Sequence, residues 1–476
     1  MTDGASILTA QTGWWLLGGM SILWVALGLY WGRENKSLAG HMLAGRNVGL
    51  ALGAATGVAT WVTSNTTMLA PQFALQLGIW GMLAYSTASI GLFMFAPLAL
   101  RIRTLMPNGF TSGEFIRRRY GRAAWYVFLC ISLFYAFTWL ISMGIAGGLL
   151  LESLAGIPYL FGMSAIMAVC TIYTVVGGLR AVIGTDFLQS GIILIGIVVV
   201  GIAVLDAVPL SEVYTKVAED RPALLDVLMP AALMALFNNL LFGIGEIFHS
   251  NVWWSRAFAM REGVGKRAYI IAGCLWLPVP ITAGFIALAA PVLDINVPHV
   301  NMVGPLVAGE LLGAVGAVVV FIVVFSSIAS SIDSLLAATS DLITKDIIGG
   351  ILRPTASDAF LRRATTSVTV ALGLVTWVVC SVENADLGTI LFRAGPLVGS
   401  TIWPILAGLY WRKSNSNAAV GAMVTGTVSG RIAYDMLGWY TAALVGTLVS
   451  MCVLLVWSRL APGNFDWRTL QGEENP

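Results

Sequence analysis

Residues 325–347 read FSSIASSIDSLLAATSDLITKDI, a helix-length stretch with three aspartates in otherwise apolar surroundings. At about 100° per residue, Ser327, Ser330, Ser331 and Ser334 fall on one narrow helical face, with Asp341 further along it. Hydroxyl oxygens in such a row suit a small hard cation when a second segment supplies carbonyl oxygens opposite them, and sodium is the obvious candidate. Asp333 lies about 60° from Ser330 on the same wheel, so Ser330 can serve two adjoining oxygen clusters. A carboxylate at the centre of a membrane helix costs roughly 2.5 to 3.5 kcal/mol to insert, so Asp333 needs a partner or a cavity. Asp346 follows Lys345 at the end of the stretch and reads as half of a solvated surface pair.

The carbonyls have to come from helices that break. Residues 48–76 carry a polar island, Thr60 to Thr67, with glycines upstream and Pro71 downstream. Residues 228–254 carry another: Asn238, Asn239, Gly243, Gly245, Glu246, His249, Ser250 and Asn251. Unpaired backbone at membrane depth is tolerated where it is buried in protein or lines a cavity, and paired breaks of this kind mark transporter sites.

These segments sit in a chain of 476 residues that is 58% hydrophobic and 11% charged, with mean hydropathy +0.84, which predicts an all-α polytopic membrane protein. Thirteen spans are predicted, near 12–31, 48–76, 79–100, 124–151, 160–176, 185–205, 228–254, 266–290, 314–344, 364–382, 391–411, 418–436 and 440–459. Of the 26 lysines and arginines, 22 fall in one alternating set of loops, Lys36 and Arg256 among them, against Lys216 and Arg221 in the other. That asymmetry predicts an N-terminus outside and a C-terminus in the cytoplasm. The first apolar segment lacks a preceding basic region and reads as a retained helix rather than a cleaved signal. The two polar islands lie five spans apart. Five is odd, so repetition of a five-span unit reverses its orientation, predicting a 5+5 inverted-repeat core led by two broken helices. The implied organisation is an extra helix and loop over 1–47, a first repeat over 48–205, and an extracellular connector over 206–227. A second repeat over 228–411, two C-terminal helices over 412–460 and a tail over 461–476 complete it.

Several functions are disfavoured. A net charge of +2 points to no nucleic-acid partner. Cys130, Cys170, Cys274, Cys380 and Cys452 all fall within predicted spans, too scattered for a redox pair, and read as inert buried thiols; His41, His249 and His299 form no ligand cluster. There is no nucleophile elbow, phosphate loop or zinc signature, so an enzyme is not expected.

Three stretches carry a family resemblance: GGLRAVIGTDFLQSG over Gly177–Gly191, SSIDSLLAATSDLITKD over Ser330–Asp346, and WPILAGLYWRKSNSNAAVGAMVTG over Trp403–Gly426. Together the chain resembles the sodium:solute symporter family over about Gly45 to Gly426. The resemblance implies alternating-access symport of a small polar solute with Na+, without an organic cofactor, in a plasma membrane such as the inner membrane of a bacterium. It implies a main sodium site made by the main-chain oxygens of Ala59 and Val62, the carbonyl of Ser327 and the hydroxyls of Ser330 and Ser331. A second ion site, present in some members, maps to Asp186, Ser330, Asp333 and Ser334; its two carboxylates would hold an ion or share a proton. Thr185 and Asp186 also open a predicted span just after Arg180, so capping or an ion pair accounts for them equally well.

The solute is expected beside the ion, among Trp61, Thr63, Asn65, Gln72, Trp139, Asn239 and Glu246. No arginine or lysine is placed at mid-membrane, which favours a neutral or zwitterionic solute. TWVTSNTTMLAPQFALQLG followed by RIRTLMPNGFTSGEFIRRRYG looks most like the urea active-transport branch, with proline-type carriers next. Glu246 stands about where sugar-carrying relatives have an aromatic gate, which argues against a bulky sugar and leaves proton coupling as the alternative. A channel or a solute sensor on the same scaffold is the remaining class: a channel needs a continuous polar path and a sensor a soluble signalling domain.

Overall fold

The computed structural model describes residues 7–33, 37–226, 228–297, 299–382 and 387–471; Lys36 of the orientation argument lies outside them. The described chain is helical. In order, α1 is Ala10–Gly32, α2 Leu38–Leu43, α3 Leu50–Trp61, α4 Ser64–Ser86, α5 Ser89–Leu105 and α6 Ser112–Tyr120. There follow α7 Arg122–Ala155, α8 Tyr159–Ala207, α9 Leu210–Asp220, α10 Pro230–His249, α11 Asn251–Ala259, α12 Val264–Trp276 and α13 Pro278–Leu288. Finally come α14 Val303–Leu342, α15 Asp358–Val382, α16 Leu387–Phe392, α17 Gly395–Tyr410, α18 Ser416–Leu437 and α19 Ala442–Leu460.

Ten stretches among the described residues are long and apolar enough to cross a membrane, against thirteen predicted spans. Two of the ten each hold two predicted spans. The first runs from Ser64 to Leu105 and takes in part of the second predicted span with the third. The other is α8, whose 49 residues would reach about 74 Å if straight, more than twice the roughly 30 Å hydrocarbon core. It turns at Gly178, where φ is +55°. A side chain there would also collide with the His41 ring and main chain, so only glycine fits. The predicted span at 418–436 is present as the helix α18 but falls below the apolarity of the other ten.

Both expected breaks are present. Helix α3 stops at Trp61, Val62 leaves helical geometry with φ −81° and ψ 83°, and Thr63 restarts the chain with its Oγ1 accepting from the main-chain N–H groups of Asn65 and Thr66. The Thr66 hydroxyl returns to the Thr63 N–H, closing a capping box across the break. The second break is at Ser250, with φ −68° and ψ 130°, whose Oγ accepts from the Val252 N–H to begin α11. In each case a small hydroxyl residue satisfies the donors that the interruption orphans.

The long helix α14 packs on α8 and α7 and also reaches α3, α4 and α11, so both broken helices meet its serine face. Helix α1 lies along α8 by close approach of small residues: Gly28 abuts the Tyr173 Cβ and Gly32 the backbone of Gly177.

Two expectations are corrected here. Asp346 is buried, not solvated: it accepts from Thr111 Oγ1 at 2.6 Å and Trp125 Nε1 at 2.8 Å, tying α6 and α7 to the end of α14. Lys345 points elsewhere, over the Phe110 ring, since adjacent helical residues do not face each other. Of the five cysteines, Cys170 and Cys380 are buried, whereas Cys130, Cys274 and Cys452 are exposed on the outer surface.

Candidate ion and solute site

The serine face of α14 meets the first break as its spacing predicts. Ser330 Oγ donates to the Ala59 carbonyl at 2.8 Å and to the Ser327 carbonyl at 3.1 Å, and Ser331 Oγ donates to the same Ser327 carbonyl at 2.8 Å. Thr67 Oγ1, from the far side of the break, lies 3.5 Å from Ser327 Oγ. Ala59, Val62, Ser327, Ser330 and Ser331 are all buried. Four of the five expected sodium ligands are thus linked oxygen to oxygen in a buried interior. Val62 contributes its main chain where the helix ladder is interrupted: its N–H still bonds Val58 at 2.8 Å, while its ψ of 83° turns its carbonyl out of the helical direction.

One turn along the same two helices lies a second cluster, with a member that the sequence reading placed elsewhere. Arg256, assigned to a loop by its position after the predicted seventh span, is fully buried. Every residue of α11 is buried, which keeps Arg256 inside the core. Its Nη2 lies 3.2 Å from Asp186 Oδ2 and donates to Thr60 Oγ1 and Ser334 Oγ, each at 2.7 Å. Its Nε donates to Thr56 Oγ1 at 2.9 Å and its Nη1 to the Val252 carbonyl at 3.1 Å. Thr56 in turn donates to Asp186 Oδ2 at 2.5 Å. A cation is therefore buried beside the ion cluster where the predicted loop position of Arg256 had none, and the ion-pair reading of Asp186 holds with Arg256 as the arginine.

Of the expected second ion site, Asp186 and Ser334 meet through this guanidinium. Asp333 accepts from the Tyr173 hydroxyl at 2.9 Å through Oδ2. Asp186 Oδ1 and Asp333 Oδ1 are buried without a hydrogen-bond partner among the described residues.

The expected solute contacts separate into groups. Trp61, Thr63, Trp139 and Asn239 line one closed cavity of about 20 Å³, together with Tyr85, Ala88, Phe242, Trp276 and Leu391. The Trp61 and Trp139 rings are stacked, with centroids 6.3 Å apart and planes inclined by 24°. Trp276 is fixed by its Nε1, which donates to the Trp61 carbonyl at 2.7 Å. By contrast, Trp61 Nε1, Trp139 Nε1 and Asn239 Nδ2 are buried without an acceptor among the described residues.

Three expected contacts lie apart from this lining. Asn65 Oδ1 accepts from Ser142, and Gln72 Oε1 accepts from Asn301 Nδ2 at 2.7 Å. Glu246 sits behind the cage: it accepts from the Tyr135 hydroxyl and from Trp253 Nε1 at 3.1 and 3.3 Å. Tyr135 packs against Trp139, and Trp253 meets Trp61 edge to face at 5.5 Å. The carboxylate thus holds the two rings that buttress the stacked pair. Sequence reasoning missed Tyr85, Phe242, Trp276 and Leu391, which come from separate elements with no shared period. Arg256 had one available signal, a buried-reading Asp186 that needed a cation.

Ten apolar stretches, two broken helices and a buried oxygen cluster where the first break meets α14 have the layout of a membrane transporter. Residues 38–426 match the sodium:solute symporter family, and the chain belongs to it. It is 27% identical to the urea-proton symporter DUR3 of Oryza sativa subsp. japonica over 90% of this chain, which spans 67% of that protein. It is also 27% identical to the sodium/pantothenate symporter of Escherichia coli, covering 82% of this chain and 83% of that one. The osmoregulated proline transporter OpuE of Bacillus subtilis is 24% identical, with 90% and 88% covered. Among solved structures, a substrate-bound, outward-open Na+-coupled sialic acid symporter superposes with a TM-score of 0.79 at 17% identity, over 95% of this chain and 99% of that one. The transporter Mhp1 of the nucleobase-cation-symport-1 family, in a closed conformation, gives 0.55 at 14% identity, over 91% and 98%. These likenesses establish the fold. The chain is a multi-pass membrane symporter of this family.

Proposed function

We propose that this symporter couples Na+ to the uptake of a small neutral or zwitterionic polar solute, with urea the favoured substrate and a small amino acid such as proline next. The observation that carries the ion assignment is the convergence of Ser330 on the Ala59 and Ser327 carbonyls, a hard oxygen set that requires no carboxylate. Solute class follows from the cage. Trp61 and Trp139, with centroids 6.3 Å apart and planes inclined by 24°, offer flat apolar faces on which a small solute can stack. Three unpartnered N–H donors on the lining residues favour a solute with a strong carbonyl acceptor. A closed cavity of about 20 Å³ holds little more than a water, so a solute of a few heavy atoms requires much less opening than a sugar or pantothenate. The match to a urea-proton symporter supports the same substrate.

In this reading Na+ enters from outside, joins the first break to α14 and steadies the outward state. Solute then completes closure around the tryptophans, and both leave to the cytoplasm. One positive charge crossing 100 mV supplies about 2.3 kcal/mol, enough for roughly fortyfold accumulation of a neutral solute. The proposed orientation has the N-terminus outside and the C-terminus inside, with the repeats at 48–205 and 228–411 as the moving halves.

Uptake of labelled urea and labelled proline into proteoliposomes, under an inward sodium gradient, a proton gradient or neither, tests this directly. Urea accumulation above equilibrium with sodium alone is expected; sodium-driven accumulation of proline but not urea would keep the coupling and replace the substrate. Trp139→Ala is expected to raise the urea KM about tenfold, the loss of a stacking face and its burial, with sodium binding unchanged.

Proton coupling is a second reading, favoured by two observations: Glu246 is a buried carboxylate bonded to two rings that support the cage, and the urea symporter of Oryza sativa to which this chain is similar is named as proton-coupled. Glu246→Gln keeps a carbonyl oxygen for both donors. Sodium-driven urea uptake in this variant is expected within about threefold of the parent. Abolished uptake with intact sodium binding would move the coupling role to Glu246.

A further inference from the structure

Thr56, Thr60, Asp186 and Ser334, from α3, α8 and α14, form a second oxygen cluster one helical turn, about 6 Å, from the Ala59 and Ser330 cluster. Its geometry is that of a cation site, and a cation is already there. Arg256 Nη2 is bound by three side chains of this cluster, and its Nε by a fourth. Among the described residues the only other buried Lys or Arg side chain is Arg119, which spends its donors on the carbonyls of Gly408, Trp411 and Ser414. Arg256 differs in being held by hydroxyls and a carboxylate that face the ion path.

Asp186 is the carboxylate bonded to Arg256, and Asp186 and Asp333 each keep one oxygen without a partner among the described residues. A second sodium in this cluster would lie beside a fixed guanidinium, a repulsion between like charges that burial strengthens.

We propose that the Arg256 guanidinium is a tethered occupant of the second cation position, so that this symporter binds one coupling cation where an open second position would admit two. The proposal rests on the sodium assignment made above for the first position. Its sign is specific: removing the arginine charge creates a cation site instead of destroying one.

Equilibrium binding of radioactive sodium to the purified full-length protein counts sites without needing the solute. Wild-type protein is expected to bind one sodium at saturation, and Arg256→Gln two. Arg256→Lys, which keeps the charge, is expected to remain at one. The double variant Asp186→Asn/Arg256→Gln, which removes a ligand of the vacated position, is also expected to return to one. Two sodium ions on wild-type protein would overturn the proposal, and that measurement does not depend on any variant folding. An unchanged count in folded Arg256→Gln would overturn it as well. If wild-type protein binds none, the sodium assignment of the first position fails, while a gain of one site in Arg256→Gln would still support the tethered cation.

Discussion

Replacing Ser330 and Ser331 together with alanine is expected to raise the sodium concentration for half-maximal transport at least a hundredfold while leaving the protein folded and in the membrane. The two hydroxyls account for two of the five ion ligands, and a hydrogen-bond-strength contact to a charged group contributes about 1.5 to 3 kcal/mol. Losing both removes about 3 to 6 kcal/mol, or two to four powers of ten in affinity. Folding should tolerate the change. Both hydroxyls bond carbonyls of α14 itself, at Ser327, and only Ser330 also reaches across to Ala59. Sodium-dependent initial rates in proteoliposomes at fixed ionic strength measure the shift; an unchanged half-saturation would remove these serines from the site.

The second large effect is on stability. Asp186→Asn leaves the Arg256 guanidinium fully buried without its carboxylate, and unpairing a buried ion pair costs about 3 to 5 kcal/mol. Thermal unfolding in detergent should show a markedly lower midpoint for Asp186→Asn. Asp186→Asn/Arg256→Gln is expected to recover most of the loss, because an amide pair carries no stranded charge. A double variant no more stable than the single one would mean that Asp186 acts through Thr56 and the helix packing instead of through the arginine. The recovery separates charge pairing from packing, since both variants alter the same volume on α8.

The parts of this site that the sequence announces are those with a period or a composition that lipid forbids. Serines at 327, 330, 331 and 334 share a face whatever lies opposite, so their meeting with Ala59 follows from helix geometry alone. The breaks at Val62 and Ser250 are visible because threonine, asparagine and paired glycines are a poor fit to an unbroken lipid-facing helix. What the period cannot supply is direction after a break. Counting residues past the second island places Arg256 in a loop, whereas the chain continues as α11, which is buried throughout. Asp346 misleads for a related reason: Lys345 is its neighbour in sequence, but Thr111 and Trp125 are its partners in space. Gln72 and Asn65 read as polar island residues, yet the fold commits them to Asn301 and Ser142. The aromatic cage was half legible, through Trp61 and Trp139. Its other walls come from α4, α10, α12 and α16, which only tertiary structure brings together.

In the proposed mechanism a sodium ion joins the first broken helix to the serine face of α14. Trp61 lies between Ala59 and Val62 and contacts Trp139, Trp253 and Trp276, so its ring cluster reports on the break itself. Intrinsic tryptophan fluorescence of the purified protein, titrated with sodium chloride against choline chloride at constant ionic strength, reads that coupling without any solute. A saturable change specific to sodium is expected, absent with potassium and lost in the Ser330→Ala/Ser331→Ala variant. A response that is the same for sodium and choline, or that persists unchanged in the double variant, would contradict it.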